Sequence, residues 1–255
     1  MSLTITSLLA LVFGSLMLAM QMAWQHSGGI ASCNAESRVA LNRIRYMISQ
    51  AGIYRVAGES QQLGVAVLNT SAGGETLPQT LVVWSGGRTG GMATQGLQSR
   101  LPLISELVIY TLDPGNSSHL IEVVASTNTN SIDFAAANFA STVQSLLAAP
   151  QLDKVLLCDR IRQTNLSGTI VGNVHFEMFQ TPSDAAIAAA TPGTTAWNSL
   201  TWCQGIVASD SGLRQATVRT ELQLEPALGA PVLTTSSPTA LAFLGSASCR
   251  YVYFP

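Results

Sequence analysis

The chain has 255 residues, with 12 Lys+Arg against 14 Asp+Glu, so charged residues make up only 10%, far below the roughly 25% of an ordinary soluble domain. A hydrophobic fraction of 47% excludes intrinsic disorder. A net charge of −2 with Lys154 as the single lysine supplies no cationic cluster for a phosphate backbone, so no nucleic acid partner is expected.

The missing charge has a location, because residues 1–35 contain no Asp, Glu, Lys or Arg. From Leu3 to Trp24 the chain reads LTITSLLALVFGSLMLAMQMAW, about the 20 residues that cross a bilayer as a helix. A cleaved secretory signal is disfavoured, since no basic flank precedes the apolar run, and Cys33 lies too far beyond it for a lipoprotein signal. Orientation is normally set by Lys or Arg close to a span, yet Arg38 is the first basic residue.

Gln25-His26-Ser27-Gly28-Gly29 is a weak spot for a helix, each glycine costing about 1 kcal/mol against alanine. Helical patterning then resumes: Ser37, Leu41, Ile44, Ile48 and Ala51 fall at i, i+4, i+7, i+11 and i+14, a narrow apolar stripe. Arg38, Asn42, Arg45 and Ser49 lie on other faces, and Gly52 suits a C′ stop. The spacing predicts one helix over residues 1–51, about 75 Å long if continuous, apolar all round in its first half and amphipathic in its second.

The remainder reads as strands and turns. Leu81-Val82-Val83-Trp84 is a short apolar run, and Glu106–Leu112 with Leu120–Ser126 flank Asp113-Pro114-Gly115-Asn116, where Pro at i+1 and Gly at i+2 predict a type II turn. Val174, Phe176 and Met178 alternate with His175 and Glu177, and Val218, Leu222 and Leu224 alternate with Arg219, Glu221 and Gln223. A further helix is expected over Phe134–Ala149, started by Ser131 or Asp133 and stopped by Pro150, with Phe139, Val143, Leu146 and Leu147 on its buried side. Thr181–Asn198 is expected as a surface loop, and Ser85–Gly96, with five glycines, as a flexible one.

No constellation for catalysis, metal or cofactor emerges. Cys33, Cys158, Cys203 and Cys249 are even in number and make no Cys-x-x-Cys pair, unlike zinc sites. In an exported head they fit disulfides, with three connectivities open and four separately buried thiols as the alternative; a bridge from Cys33 would tie the helix to the head. His26, His119 and His175 have no ligand spacing, and His175 beside Glu177 fits a solvated strand face. Neither Thr181–Asn198 nor Ser85–Gly96 carries the Gly-Lys-Ser/Thr of a phosphate loop, and no Gly-x-Ser-x-Gly elbow appears near a strand end. Trp84, Trp197, Trp202, Tyr251, Tyr253 and Phe254 fit core packing better than a binding surface.

The uncharged start Met1-Ser2-Leu3-Thr4, Gly14 in the apolar helix and the docking stretch Ser37–Gly52 resemble the type IV pilin and pseudopilin superfamily. SELVIYTLDPGNSSHLIEVVAS (105–126) and the AW…LRQATVRTELQL pattern (196–224) resemble the heads of J-type minor pseudopilins and W-type minor pilins. The resemblance implies an α+β fold in two parts: residues 1–52, a membrane and filament-core helix, and residues 53–255, a β-rich head whose antiparallel sheet carries the helix and at least one more. It implies a structural filament subunit rather than an enzyme, a processed and methylated Met1, and core packing through Leu3, Thr4, Ile5, Leu8, Leu9, Leu11, Val12, Phe13, Gly14 and Leu16. Leu41, Ile44, Ile48 and Ala51 would hold the head.

The implied partners are identical or related pilin subunits, the inner membrane before assembly, prepilin peptidase acting on a short basic leader, and the assembly machinery. The implied location is the inner membrane, then a periplasmic or extracellular filament. Ile5 departs from the family, which usually has a glutamate there to pair with a neighbouring amine; an unpaired ammonium in an apolar core costs at least a few kcal/mol. A membrane-anchored binding protein or adhesin that never polymerises is the alternative reading.

Overall fold

A computed structural model describes residues 2–203, 205–226 and 240–255, and for residues 2–10 the backbone alone. Helix α1 runs unbroken from Ser2 to Ser49 over 48 residues, about 72 Å, straight through the expected weak spot at Gln25–Gly29. Residues 11–28 are all exposed, and burial begins at Gly29. Beyond it Cys33, Ser37, Ala40, Ile44, Met47 and Ile48 are buried; steps of three and four place them on one face. Gly29 marks where the helix meets the head, because a Cβ there would lie 2.1 Å from the Pro226 carbonyl oxygen.

The helix ends by tightening, with Gln50 N–H donating to Met47 O and Ala51 N–H to Ile48 O, each at 3.1 Å. Gly52 is not the left-handed cap that its position suggests, since its φ is not positive. It is small because a Cβ would lie 2.8 Å from the Trp84 ring, and its N–H donates to Trp84 O at 2.8 Å.

The strands are, in order, β1 (Ile53–Tyr54), β2 (Gln62–Leu63), β3 (Val65–Ala72), β4 (Glu75–Trp84), β5 (Leu97–Gln98), β6 (Leu107–Asp113) and β7 (Asn116–Val124). After α2 (Phe139–Leu147) come β8 (Asp153–Cys158), β9 (Gln163–Leu166), β10 (Thr169–Gly172) and β11 (Val174–Thr181). Two short helices, α3 (Asp184–Ala188) and α4 (Thr195–Asn198), precede β12 (Ile206–Ala208), β13 (Ser211–Leu224) and β14 (Leu241–Tyr253). The main sheet is antiparallel in the order β3-β4-β6-β7-β8. In the second sheet β13 pairs with β11 and β12 and, over thirteen residue pairs, with β14. The architecture is α+β and rich in sheet.

The main sheet is buried on both faces, which explains why Leu81-Val82-Val83-Trp84 and Leu107–Tyr110 are continuous apolar runs without alternation. Leu81, Val83, Val108, Tyr110 and Leu120 face the core shared with α1 and the second sheet. Val82, Trp84, Leu107, Ile109, Ile121 and Val123 face Phe139 and Val143 of α2. The second sheet does alternate: Val174, Phe176, Val218 and Leu222 join the α1 core, while His175, Glu177 and Arg219 are exposed. Helix α1 packs on β14, β13 and β8, touching the terminal strand of each sheet.

Several local expectations need correction. The expected helix over 134–149 is shorter, Phe139–Leu147 with Asn138 in the capping position, because the Asp133 carboxylate accepts from the Tyr54 hydroxyl at 2.7 Å and from Ala135 N–H at 2.9 Å, a side-chain turn that competes with helix. At Pro114-Gly115 the hairpin forms as expected, with Asp113 opposite Asn116, but Gly115 lacks the positive φ of a type II turn; the Asp113 carboxylate accepts its N–H at 3.3 Å instead. Thr181–Asn198 is no plain surface loop: Ser183 and Thr194 cap α3 and α4, which bury Ile187 and Trp197. The glycine-rich 85–96 stretch contains a 3-10 turn at Met92–Gln95 and a fully buried Ser85.

The two halves of the helix as the candidate functional site

The free half of α1 presents large apolar side chains to solvent. Leu11, Val12, Phe13 and Leu16 are all more than half exposed, Met17 is 75% exposed and Trp24 82%, and a Cβ at Gly14 would touch nothing. An apolar surface this continuous requires a cover. Met1 lies outside the described residues, and the side chains of Leu3, Thr4, Ile5, Leu8 and Leu9 lie outside the described part of the helix. Among the described residues no helix is long and apolar enough to cross a membrane; the expected span, Leu3–Trp24, falls partly outside that description.

In the docked half, Ile44, Ile48 and Ala51 are buried and Leu41 is half-buried, packed so close to β14 that a Cβ at Gly245 would lie 2.8 Å from a Leu41 methyl. Cys33, Ala40 and Met47 widen the seam. Their seven-residue spacing was the available signal, but a cysteine and a small alanine did not stand out.

Two polar clusters fasten this half to the head. Glu122 of β7, 2% exposed, accepts from Arg43 Nε at 2.7 Å and Nη2 at 2.9 Å, from Arg88 Nε at 3.2 Å and from the Tyr110 hydroxyl at 3.2 Å. Burial, reinforced by the Glu122 charge, pushes the Tyr110 hydroxyl far up, so it remains a donor. Two turns nearer the free half, Glu36 accepts from Arg160 Nε at 3.1 Å and from the Cys158 thiol at 3.2 Å. Arg160 in turn donates to Pro226 O at 2.9 Å, beside the contact at Gly29.

All four cysteines are free thiols in the structure, where disulfides were one expectation. Cys33 and Cys158 lie buried in the same core and flank the Glu36 cluster; burial raises both thiols above their usual range. Cys203 and Cys249 are on opposite faces of the second sheet. The Cys203 thiol donates to Gln215 at 3.1 Å, whereas Cys249 stands opposite Ala216 on the core face, so the sheet itself separates them.

Trp84, Trp197, Trp202, Tyr251 and Tyr253 are buried, and Phe254 is 37% exposed. His119 meets Asn116 at 3.0 Å, and His26 and His175 are exposed. Glu177 approaches Arg219 at 3.9 Å. Among the described residues no group of three or more His, Cys, Asp or Glu is placed to hold a metal. A cleft of about 770 Å³ between the main sheet, α2 and the β9–β10 hairpin is lined by aliphatic, hydroxyl and amide side chains and by the ion-paired Asp113 and Lys154, with neither histidine nor cysteine among them.

Comparison of the chain with protein-family models, with curated proteins and with solved structures finds no match.

Proposed function

We propose that this chain is a structural subunit of a type IV pilus-like or pseudopilus filament. The observation that supports this reading is the division of one unbroken helix: residues 11–28 are all exposed and largely apolar, while the half from Gly29 onward is built into the head. A bare apolar helix about 27 Å long over those residues is stable only under lipid or among like helices, and a filament subunit uses both in turn. The helix would wait in the inner membrane, with Leu3–Trp24 as its apolar segment, and then pack by van der Waals contact in a filament core. Met1 would be the processed, methylated end produced by prepilin peptidase, and related subunits and the assembly machinery its partners.

The test is electron microscopy of surface filaments purified from cells making the full protein, with peptide identification and mass spectrometry of the N-terminus. The reading expects this chain within filaments, with a methylated N-terminus. Recovery of the chain only in the membrane fraction, unmethylated, overturns it in favour of an anchored binding protein.

A further inference from the structure

The chain has twelve Lys and Arg side chains, and ten of them are engaged. Arg43, Arg88, Arg100, Lys154, Arg160, Arg214 and Arg219 are ion-paired; Arg55, Arg162 and Arg250 hydrogen-bond within the chain. Arg38 and Arg45 make neither kind of contact among the described residues, which include every Asp and Glu of the chain. They are seven residues apart, on the same face of α1, and both line one cleft of about 290 Å³ between the helix and β14.

The cleft is a shaped recess. Its lining includes the buried Thr220, the exposed Ser246 and Leu244, 76% exposed. Gly245 lets helix and strand close up behind it. Guanidinium pairs suit carboxylates through charge-assisted hydrogen bonds.

We propose that this cleft is a contact surface which receives an acidic side chain from a second copy of the chain. The proposal deepens the filament reading and rests on it. Charge complementarity points to a second copy: Glu59, Glu75 and Asp210 are exposed carboxylates without a side-chain partner among the described residues, matching two unengaged arginines. Anionic lipid fits less well. Arg38 lies fourteen residues past Trp24, about 21 Å along the axis, whereas a headgroup layer extends only about 5–8 Å beyond the hydrocarbon.

The experiment uses the full chain purified in neutral detergent, with self-association followed by sedimentation at low and high salt and filament yield followed in cells. The expected result is that Arg38→Glu with Arg45→Glu weakens self-association at least tenfold, that salt weakens the wild type alike, and that thermal unfolding is unchanged because no contact within the head is removed. Mixing with a chain bearing Glu59→Arg, Glu75→Arg or Asp210→Arg should restore association for at least one of the three. The milder pair Arg38→Gln and Arg45→Gln gives the same reading if the reversal harms folding. Unchanged association in the arginine variants, restoration by none of the three reversals, or arginine-dependent binding to phosphatidylglycerol vesicles without self-association overturns the proposal. A chain that self-associates through this cleft yet is absent from filaments overturns the filament reading instead.

Discussion

Arg43 on α1 and Glu122 near the end of β7, 79 positions apart in the chain, meet in a two-point hydrogen bond at 2.7 and 2.9 Å. The pair joins the helix to the strand that is sandwiched between both cores. Its carboxylate is 2% exposed and its guanidinium side chain 26%, so removing the arginine strands a buried charge that Arg88 and Tyr110 only partly satisfy. Arg43→Met is expected to cost about 3 kcal/mol, read by urea denaturation of the full chain in detergent with tryptophan fluorescence. A change below 0.5 kcal/mol, the scale of an ordinary surface substitution, would show that the pair is not structural.

Adjacent glycines in α1 should respond in opposite directions. At Gly28 a Cβ meets nothing, and Gly28→Ala is expected to stabilise the helix by about 1 kcal/mol. At Gly29 the same methyl collides with the Pro226 carbonyl, so Gly29→Ala is expected to destabilise by about 2 kcal/mol. Thermal melts of the two variants compare them directly, and a shared sign would refute the contact.

Glu106 predicts an acid-dependent term. Burial pushes its carboxyl up, but Arg100, the Leu103 N–H and the Trp84 indole N–H outweigh burial and hold it below the usual range. A depressed folded pKa contributes stability that is complete above the unfolded value, about 4.3, and disappears as pH falls through the folded one. Glu106→Gln is therefore expected to lose about 1–2 kcal/mol at pH 7, with the gap to wild type closing below about pH 4. Stability curves measured from pH 7 to pH 3 decide it.

Thiol labelling separates free cysteines from bridged ones. Burial holds Cys33 and Cys158 protonated and pushes Cys249 up to about 11, so only Cys203 should react with a thiol reagent at pH 8 in the folded protein. Unfolding without reductant should release the other three. Fewer than four reactive thiols after unfolding would mean that a disulfide forms.

The long helix, its docking stripe, the Pro114-Gly115 hairpin and the alternation of β11 and β13 were legible because each rests on neighbours a few positions apart. What escaped depends on distant partners. Gly52 reads locally as a helix stop, yet its size answers to Trp84; Asp133 reads as a cap, yet Tyr54 engages it. Glu122 carries no local signal at all, since it is buried only by the docking of α1 through Arg43. For the proposed site, Arg38 and Arg45 were visible as off-stripe residues, but their isolation was not, since it emerges only after every other cation has found a partner.

The helix also serves as a wall. Because α1 packs on both β8 and β14, it lies where the two sheets end, and long outer strands left bare invite pairing with other chains. Shortening the protein to a soluble head by cutting after Ala51 would uncover that seam together with Tyr110, Leu120 and Leu222. Cutting ahead of Gly29 removes the apolar projection and leaves the wall standing.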